Sequence, residues 1–110
     1  NLEGVAVLVE AANAIHARII FISSDAAYGD TSYGRFKKEG EQLVRNTSAG
    51  WIILQPALIF GMSPNTENDR PHNRLLRAIK GKKPCSFDSD AQTFITWTGH
   101  LSQVIQEVIE

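Results

Sequence analysis

The sequence predicts an α/β fold in which parallel strands alternate with helices. Three features predict it. Apolar residues recur at helical spacing in residues 2–13 and 33–47, short unbroken apolar runs follow each of these segments, and the joints between them are short enough to imply β-α-β units with right-handed crossovers.

In residues 2–13, Val5, Leu8, Val9 and Ala12 fall at i, i+3, i+4 and i+7, so one buried helical face is expected. The run Ile19 to Ile22 ends at Ser23, Ser24 and Asp25, as a parallel strand covered on both faces would, and a loop is expected through Tyr28 and Gly29. Residues 33–47 carry Phe36, Gly40, Leu43, Val44 and Thr47 on one side and charges on the other, which predicts a second helix stopped by Gly50. Trp51 to Leu54 is the next strand, and Pro56, lacking an N–H, ends its pairing. Past Gly61 the residues turn polar and proline-bearing, which predicts a long loop. A short helix with Leu75, Leu76 and Ile79 is expected next, closed by Lys80, Gly81, Lys82, Lys83 and Pro84. Residues 93–97 read as a brief strand. Leu101, Val104, Ile105 and Val108 have the spacing of a last amphipathic helix.

The chain has 110 residues, 43% hydrophobic and 21% charged, with a net charge of −1. That balance lacks the basic field that holds nucleic-acid phosphates, and no apolar stretch is long enough to span a bilayer, so neither nucleic acid nor membrane is expected as a partner. The single Cys85 excludes an internal disulfide framework and a multi-cysteine metal site, and it fits a reducing, cytoplasmic setting. The sequence starts without Met, inside an expected helix, so it is read as a piece of a longer protein.

Tyr33 and Lys37 stand four residues apart at the start of the second helix and share a face. An ammonium held near a phenol favours the phenolate, which can exchange a proton with an alcohol or ketone, and the ammonium's further donors can reach ribose hydroxyls. A solvated helix face explains the same spacing. Ser23 and Ser24 lie just past the end of a buried strand, where open α/β sheets place ligands. Ser24 can orient a substrate oxygen there, or the two serines can simply end the strand and cap the turn. Asp25 can cap that turn or line the site. His16, His72 and His100 have no companion at metal-ligand spacing, Cys85 reads as structural rather than nucleophilic, and Lys80, Lys82 and Lys83 read as a solvated helix end.

These motifs, in order, resemble an extended or atypical short-chain dehydrogenase of the NAD-dependent epimerase/dehydratase kind. The likeness rests on Asn1-Leu2-Glu3-Gly4, Ile20-Phe21-Ile22-Ser23-Ser24, Ala27-Tyr28-Gly29, Tyr33-Gly34 through Lys37 to Glu41, and Ile53-Leu54-Gln55-Pro56 with the Pro-x-x-x-aromatic-Gly turn at Ile59-Phe60-Gly61. The resemblance implies a partial Rossmann-like doubly wound parallel sheet with a small C-terminal substrate-binding region. Residues 1–61 would be the second half of the NAD(P)-binding domain, and residues 62–110 the substrate loops and last helix.

By the same resemblance Tyr33 is the catalytic acid or base, Lys37 its activator and a cofactor-ribose ligand, and Ser24 the substrate-orienting hydroxyl. Pro56, Ala57 and Leu58 pass beside the nicotinamide of NAD or NADP. The implied partners are a small-molecule substrate and a second copy of the chain in a homodimer. Departures from the pattern are visible. The Gly-rich phosphate turn lies outside this sequence, Ser24 and Tyr33 are only nine positions apart, and Gln55 stands where many relatives carry Arg. The leading expectation is an NAD(P)-dependent oxidoreductase, epimerase or dehydratase acting on a hydroxyl or carbonyl carbon, that of a sugar or nucleotide sugar included, although Gln55 and Thr93, the latter where sugar-nucleotide enzymes of the family often carry Arg, do not favour a nucleotide sugar. The alternative is a non-catalytic NAD(P)-binding regulatory or scaffold protein of the same fold, and a third is a remnant without ligand.

Overall fold

A computed structural model of the chain describes residues 2–61, 76, 78–81, 84, 86 and 94–110. They are helices and short parallel strands of an α/β fold, in two compact units, Asn1–Ala57 and Leu58–Glu110.

The first unit opens with α1, Leu2–Ala14, followed by β1, Ile19–Ile22. The helix ends in a Schellman turn: Ala17 N–H donates to Ala12 O at 2.8 Å, His16 N–H donates to Asn13 O at 3.3 Å, and His16 adopts a left-handed φ of 54°. Val9 and Ala12 are buried, as their spacing predicts. Leu8 is exposed instead, because it lies at one edge of the apolar stripe and the packing covers the side toward Ala12 and Val9.

A 3-10 turn, Asp25–Tyr28, occupies the stretch expected as loop and leads to α2, Ser32–Val44, then β2, Trp51–Leu54. Thr31 caps α2 by accepting from Gly34 N–H at 3.0 Å. The helix stops at Val44, earlier than expected, where Thr47 folds back on Val44 O through both its N–H and its hydroxyl. Gly50, at a φ of 102°, then turns the chain into β2 rather than ending the helix itself. The expected apolar face holds at Gly40, Val44 and Thr47 but not at Phe36, which is exposed. At roughly 100° per residue Phe36 stands about 40° outside the buried arc that runs from Gly40 through Val44 and Glu41 to Gly34.

Strands β1 and β2 pair in parallel with Ile19 opposite Trp51 and Ile22 opposite Leu54, joined through α2 as a β-α-β unit. The side chains of β1 are half-buried rather than enclosed on both faces, since among the described residues it pairs only with β2. Phe21 seats its ring on Gly40, where an added Cβ would lie 2.9 Å from Cζ, and this lets α2 lie close over the strand. Asn13 ties the end of α1 to the turn after α2, donating to Asn46 O at 3.2 Å and accepting from Ser48 N–H at 2.7 Å.

In the second unit β3, Leu58–Phe60, pairs in parallel with β4, Ile95–Trp97, and α3, Thr98–Ile109, follows at once. Leu58 to Phe60 is therefore a strand where a turn was expected. Pro56 interrupts pairing in the first sheet, and Leu-Ile-Phe, with good strand propensity, resumes it in a second. Leu101, Val104, Ile105 and Val108 are half-buried positions of α3, as the spacing predicts, and Gly99 is half-buried with them. Leu76, Ala78 and Ile79 are helical, Lys80 N–H donates to Leu76 O, and Gly81 ends the turn at a φ of 69°. Leu75, Lys82, Lys83, Cys85, His72, Thr93 and residues 62–72, where a long loop is expected, lie outside the described residues.

Candidate functional site

The start of α2 places Tyr33 and Lys37 together. A side chain at residue 34 would overlap the carbonyl oxygen of Ala26, so only glycine lets the first turn of α2 press on the 3-10 turn. Tyr33, next to that contact, is 57% exposed. Lys37 reaches back across the strand end: its Nζ donates to Ile22 O at 3.0 Å and lies 5.7 Å from the Tyr33 ring centroid and 5.5 Å from that of Phe21. With one hydrogen on Ile22, the ammonium keeps two further donors. Tyr33 and Lys37 line a cavity of about 240 Å³ with Leu2, Val5, Phe21 and Phe36. The walls are mostly apolar and the polar groups are a phenol and an ammonium, so a ring-sized apolar ligand bearing hydroxyls fits them.

Ser24 is not on that cavity's wall. Its Oγ accepts from Ala26 N–H at 3.2 Å and donates to Asp25 Oδ1 at 3.2 Å, so Ser24 caps the 3-10 turn and Asp25 helps hold the cap. Asp25 N–H donates to Pro56 O at 3.1 Å, which ties the segments leaving β1 and β2. Pro56 and Ala57 close the first unit and Leu58 begins β3. His16 serves the Schellman turn. His100 is exposed on α3, and Lys80 is exposed after the helical residues before it.

Sequence reasoning missed a second polar cluster. Glu41, one turn past Lys37, is 4% exposed. Its Oε1 accepts from Ser23 Oγ at 2.6 Å and from Gln55 Nε2 at 2.8 Å, and its Oε2 accepts from Arg45 Nη2 at 3.4 Å. Burial by itself raises the carboxyl's pKa, but the hydrogen bonds from Ser23, Gln55 and Arg45, with the Arg45 charge, outweigh it and hold the group below its ordinary value. Gln55 also accepts from Tyr28 Oη at 2.8 Å. Gln55 thus bridges a carboxylate and a phenol. Glu41 stands four residues after Lys37 and four before Arg45, among charges on the helix, so its spacing carried no signal of burial.

A model of the family described as RmlD substrate binding domain matches residues 1–110. The chain belongs to that family. It is a sugar-nucleotide-related family within the extended short-chain dehydrogenase and NAD-dependent epimerase/dehydratase superfamily. The chain is also 26% identical over 106 residues to methionine adenosyltransferase 2 subunit beta of Danio rerio, an alignment that covers 84% of this chain. The chain spans about a third of that relative's length, 33%. No solved structure matches it. Among the described residues, no helix is long and apolar enough to cross a membrane.

Proposed function

We propose that this chain supplies the proton-transfer and ribose-binding side chains of an NAD(P)-dependent oxidoreductase, epimerase or dehydratase acting on a hydroxyl or carbonyl carbon of a sugar or nucleotide sugar. The observation that carries the reading is the pairing of an exposed Tyr33 with Lys37, whose ammonium is pinned by Ile22 O beside the phenol ring in one cavity. Membership of a sugar-nucleotide-related family supports the substrate class. The cavity is smaller than the roughly 300–1,000 Å³ of sites that enclose drug-sized ligands, so it suits the nicotinamide ring and the first ribose oxygens, not a whole dinucleotide. In this reading the sheet is part of a Rossmann-like doubly wound sheet.

Bound NAD(P) supplies or accepts the hydride. Tyr33 gives a proton from Oη to the carbonyl oxygen on reduction and takes it from the hydroxyl on oxidation. Lys37 directs its remaining donors to the ribose hydroxyls. Ser24 can join only by turning its hydrogen from Asp25 Oδ1 to the substrate oxygen. Pro56 and Ala57 line the approach of the nicotinamide.

Tyr33→Phe in the full chain tests the assignment. Turnover should fall about a hundredfold or more with the melting temperature unchanged, and wild-type turnover in the variant overturns it. Lys37→Met should weaken both NAD(P) binding and rate.

A second reading is a cofactor-binding subunit that catalyses nothing itself. It is supported by the relative named as a subunit of an adenosyltransferase and by the engagement of Ser24 in capping. Cofactor binding by the full chain without turnover, unchanged in Tyr33→Phe, distinguishes it.

A further inference from the structure

We infer that Glu41 is a positioning residue, a buried carboxylate clamp that fixes α2, and with it Tyr33 and Lys37, against the ends of both strands; the link to cofactor binding rests on the reading proposed above. The ends of both strands converge on this one group, and the 3-10 turn joins them through Gln55. Ser23, 3% exposed, donates to it from the end of β1, Gln55 donates to it from just past β2, and Gln55 in turn holds Tyr28 at the end of the 3-10 turn. Ser23 and Gln55 donate to the same oxygen, Oε1, so a shift of α2 by a fraction of an ångström disturbs both bonds together. Arg45, from the next turn of α2, holds the other oxygen.

The clamp acts at the place the proposed site depends on. Ser23 precedes Ser24, and its N–H donates to Leu54 O at 2.7 Å. Lys37 is anchored on Ile22 O, one residue earlier, so α2 is stitched to the end of β1 at Ile22 by the lysine and at Ser23 by the glutamate. Gly34 sets the depth of the helix's first turn on Ala26, and Glu41 sets its later turns. Without Glu41, no side-chain hydrogen bond among the described residues holds Gln55 and Ser23 to the helix, and the lysine's bond to Ile22 O remains as a polar tie between α2 and the end of β1. Displacements of about an ångström at a reacting group are enough to cost a hundredfold in function.

The test uses the full chain with Glu41→Ala, Glu41→Gln and, as a packing control elsewhere on α2, Val44→Ala. Glu41→Gln retains the Oε1 acceptor for Ser23 and Gln55, so it should act as the conservative rescue. The first readout is NADPH affinity, followed by nicotinamide fluorescence. Glu41→Ala should weaken it tenfold or more, Glu41→Gln by less than threefold, and Val44→Ala by less than twofold even where it lowers the melting temperature as much. The second is amide exchange at Ser23 and Asp25 relative to Ile20 and Ile53, which report global opening. Glu41→Ala should accelerate it tenfold, and Glu41→Gln should not. Wild-type affinity in Glu41→Ala, or an equal loss in Val44→Ala, overturns the inference. If the wild-type full-length protein binds neither NADPH nor NADH, the proposed function fails, and the clamp stands or falls on exchange alone, unchanged exchange in Glu41→Ala refuting it. Should Glu41→Ala not fold, Gln55→Leu removes one arm of the clamp, and weakening by less than twofold together with unchanged exchange at Asp25 would overturn the inference equally.

Discussion

Gly34, beside Tyr33, and Glu41, one turn past Lys37, flank Lys37 on α2, and each is there for a steric or electrostatic reason that a different side chain cannot meet. At Gly34 a methyl group would meet the Ala26 carbonyl oxygen and crowd Gly29 O at 3.1 Å, both backbone atoms that cannot rotate away. Gly34→Ala should therefore cost about 1–3 kcal/mol, the usual range for overpacking, and move Tyr33 off its wall. Urea denaturation measures the first effect, and a variant as stable as wild type would show that α2 does not rest on the 3-10 turn. Glu41 makes stability depend on acid. Its folded pKa lies below the ordinary 4.5, so the ionised clamp contributes in full above that value, and the contribution is lost as pH falls through the lower folded value. The difference in unfolding free energy between wild type and Glu41→Gln should thus shrink between about pH 6 and pH 3. A difference constant over that range would mean that the carboxylate charge contributes nothing.

The elements were legible in the sequence wherever their side chains report a period. The spacing of Val9 and Ala12, the run Ile19–Ile22 and the half-buried positions of α3 each predict what forms, because burial on one side selects apolar residues at 3.6-residue or strand spacing. The 3-10 turn has too few residues to show a period, and β3 was hidden by Pro56, which ends pairing in one sheet without forbidding it in the next. At the site, the Tyr33 and Lys37 pairing followed from spacing alone. The burial of Glu41 did not, since a glutamate among surface charges reads as solvated until its partners on other elements are known. His16 illustrates the same limit, because a histidine at a helix end does not announce a left-handed φ. It also carries a prediction for α1. A non-glycine residue in that region costs roughly 1–2 kcal/mol, partly offset by the extra freedom glycine has when unfolded. His16→Gly should stabilise the chain by about 0.5–1 kcal/mol with α1 unchanged, read as a higher urea midpoint at constant slope. A lower midpoint would show that the imidazole makes a contribution larger than the strain.

At the scale of the molecule, burial is unequally shared. Every buried residue of the described chain, from Val9 and Ala12 through Ser23, Ala27, Glu41, Val44 and Thr47 to Pro56, belongs to the first unit. In the second, the described residues of β3, β4 and α3 are half-buried or exposed, and Phe94, Ile95 and Trp97 are among the largest apolar groups open to solvent. Local opening free energy follows buried apolar contact, so the two units should not open together. Hydrogen exchange under native conditions should show the amides of α3 exchanging at least tenfold faster than those of β1 and β2, with the gap closing as urea is raised and global unfolding takes over. The clamp sharpens this expectation, because Glu41, Lys37 and Asn13 add side-chain bonds between elements of the first unit. Protection in α3 equal to that of β1 would mean that the second unit gains its stability from burial that the apolar residues of β4 do not show here, and that the two units open as one.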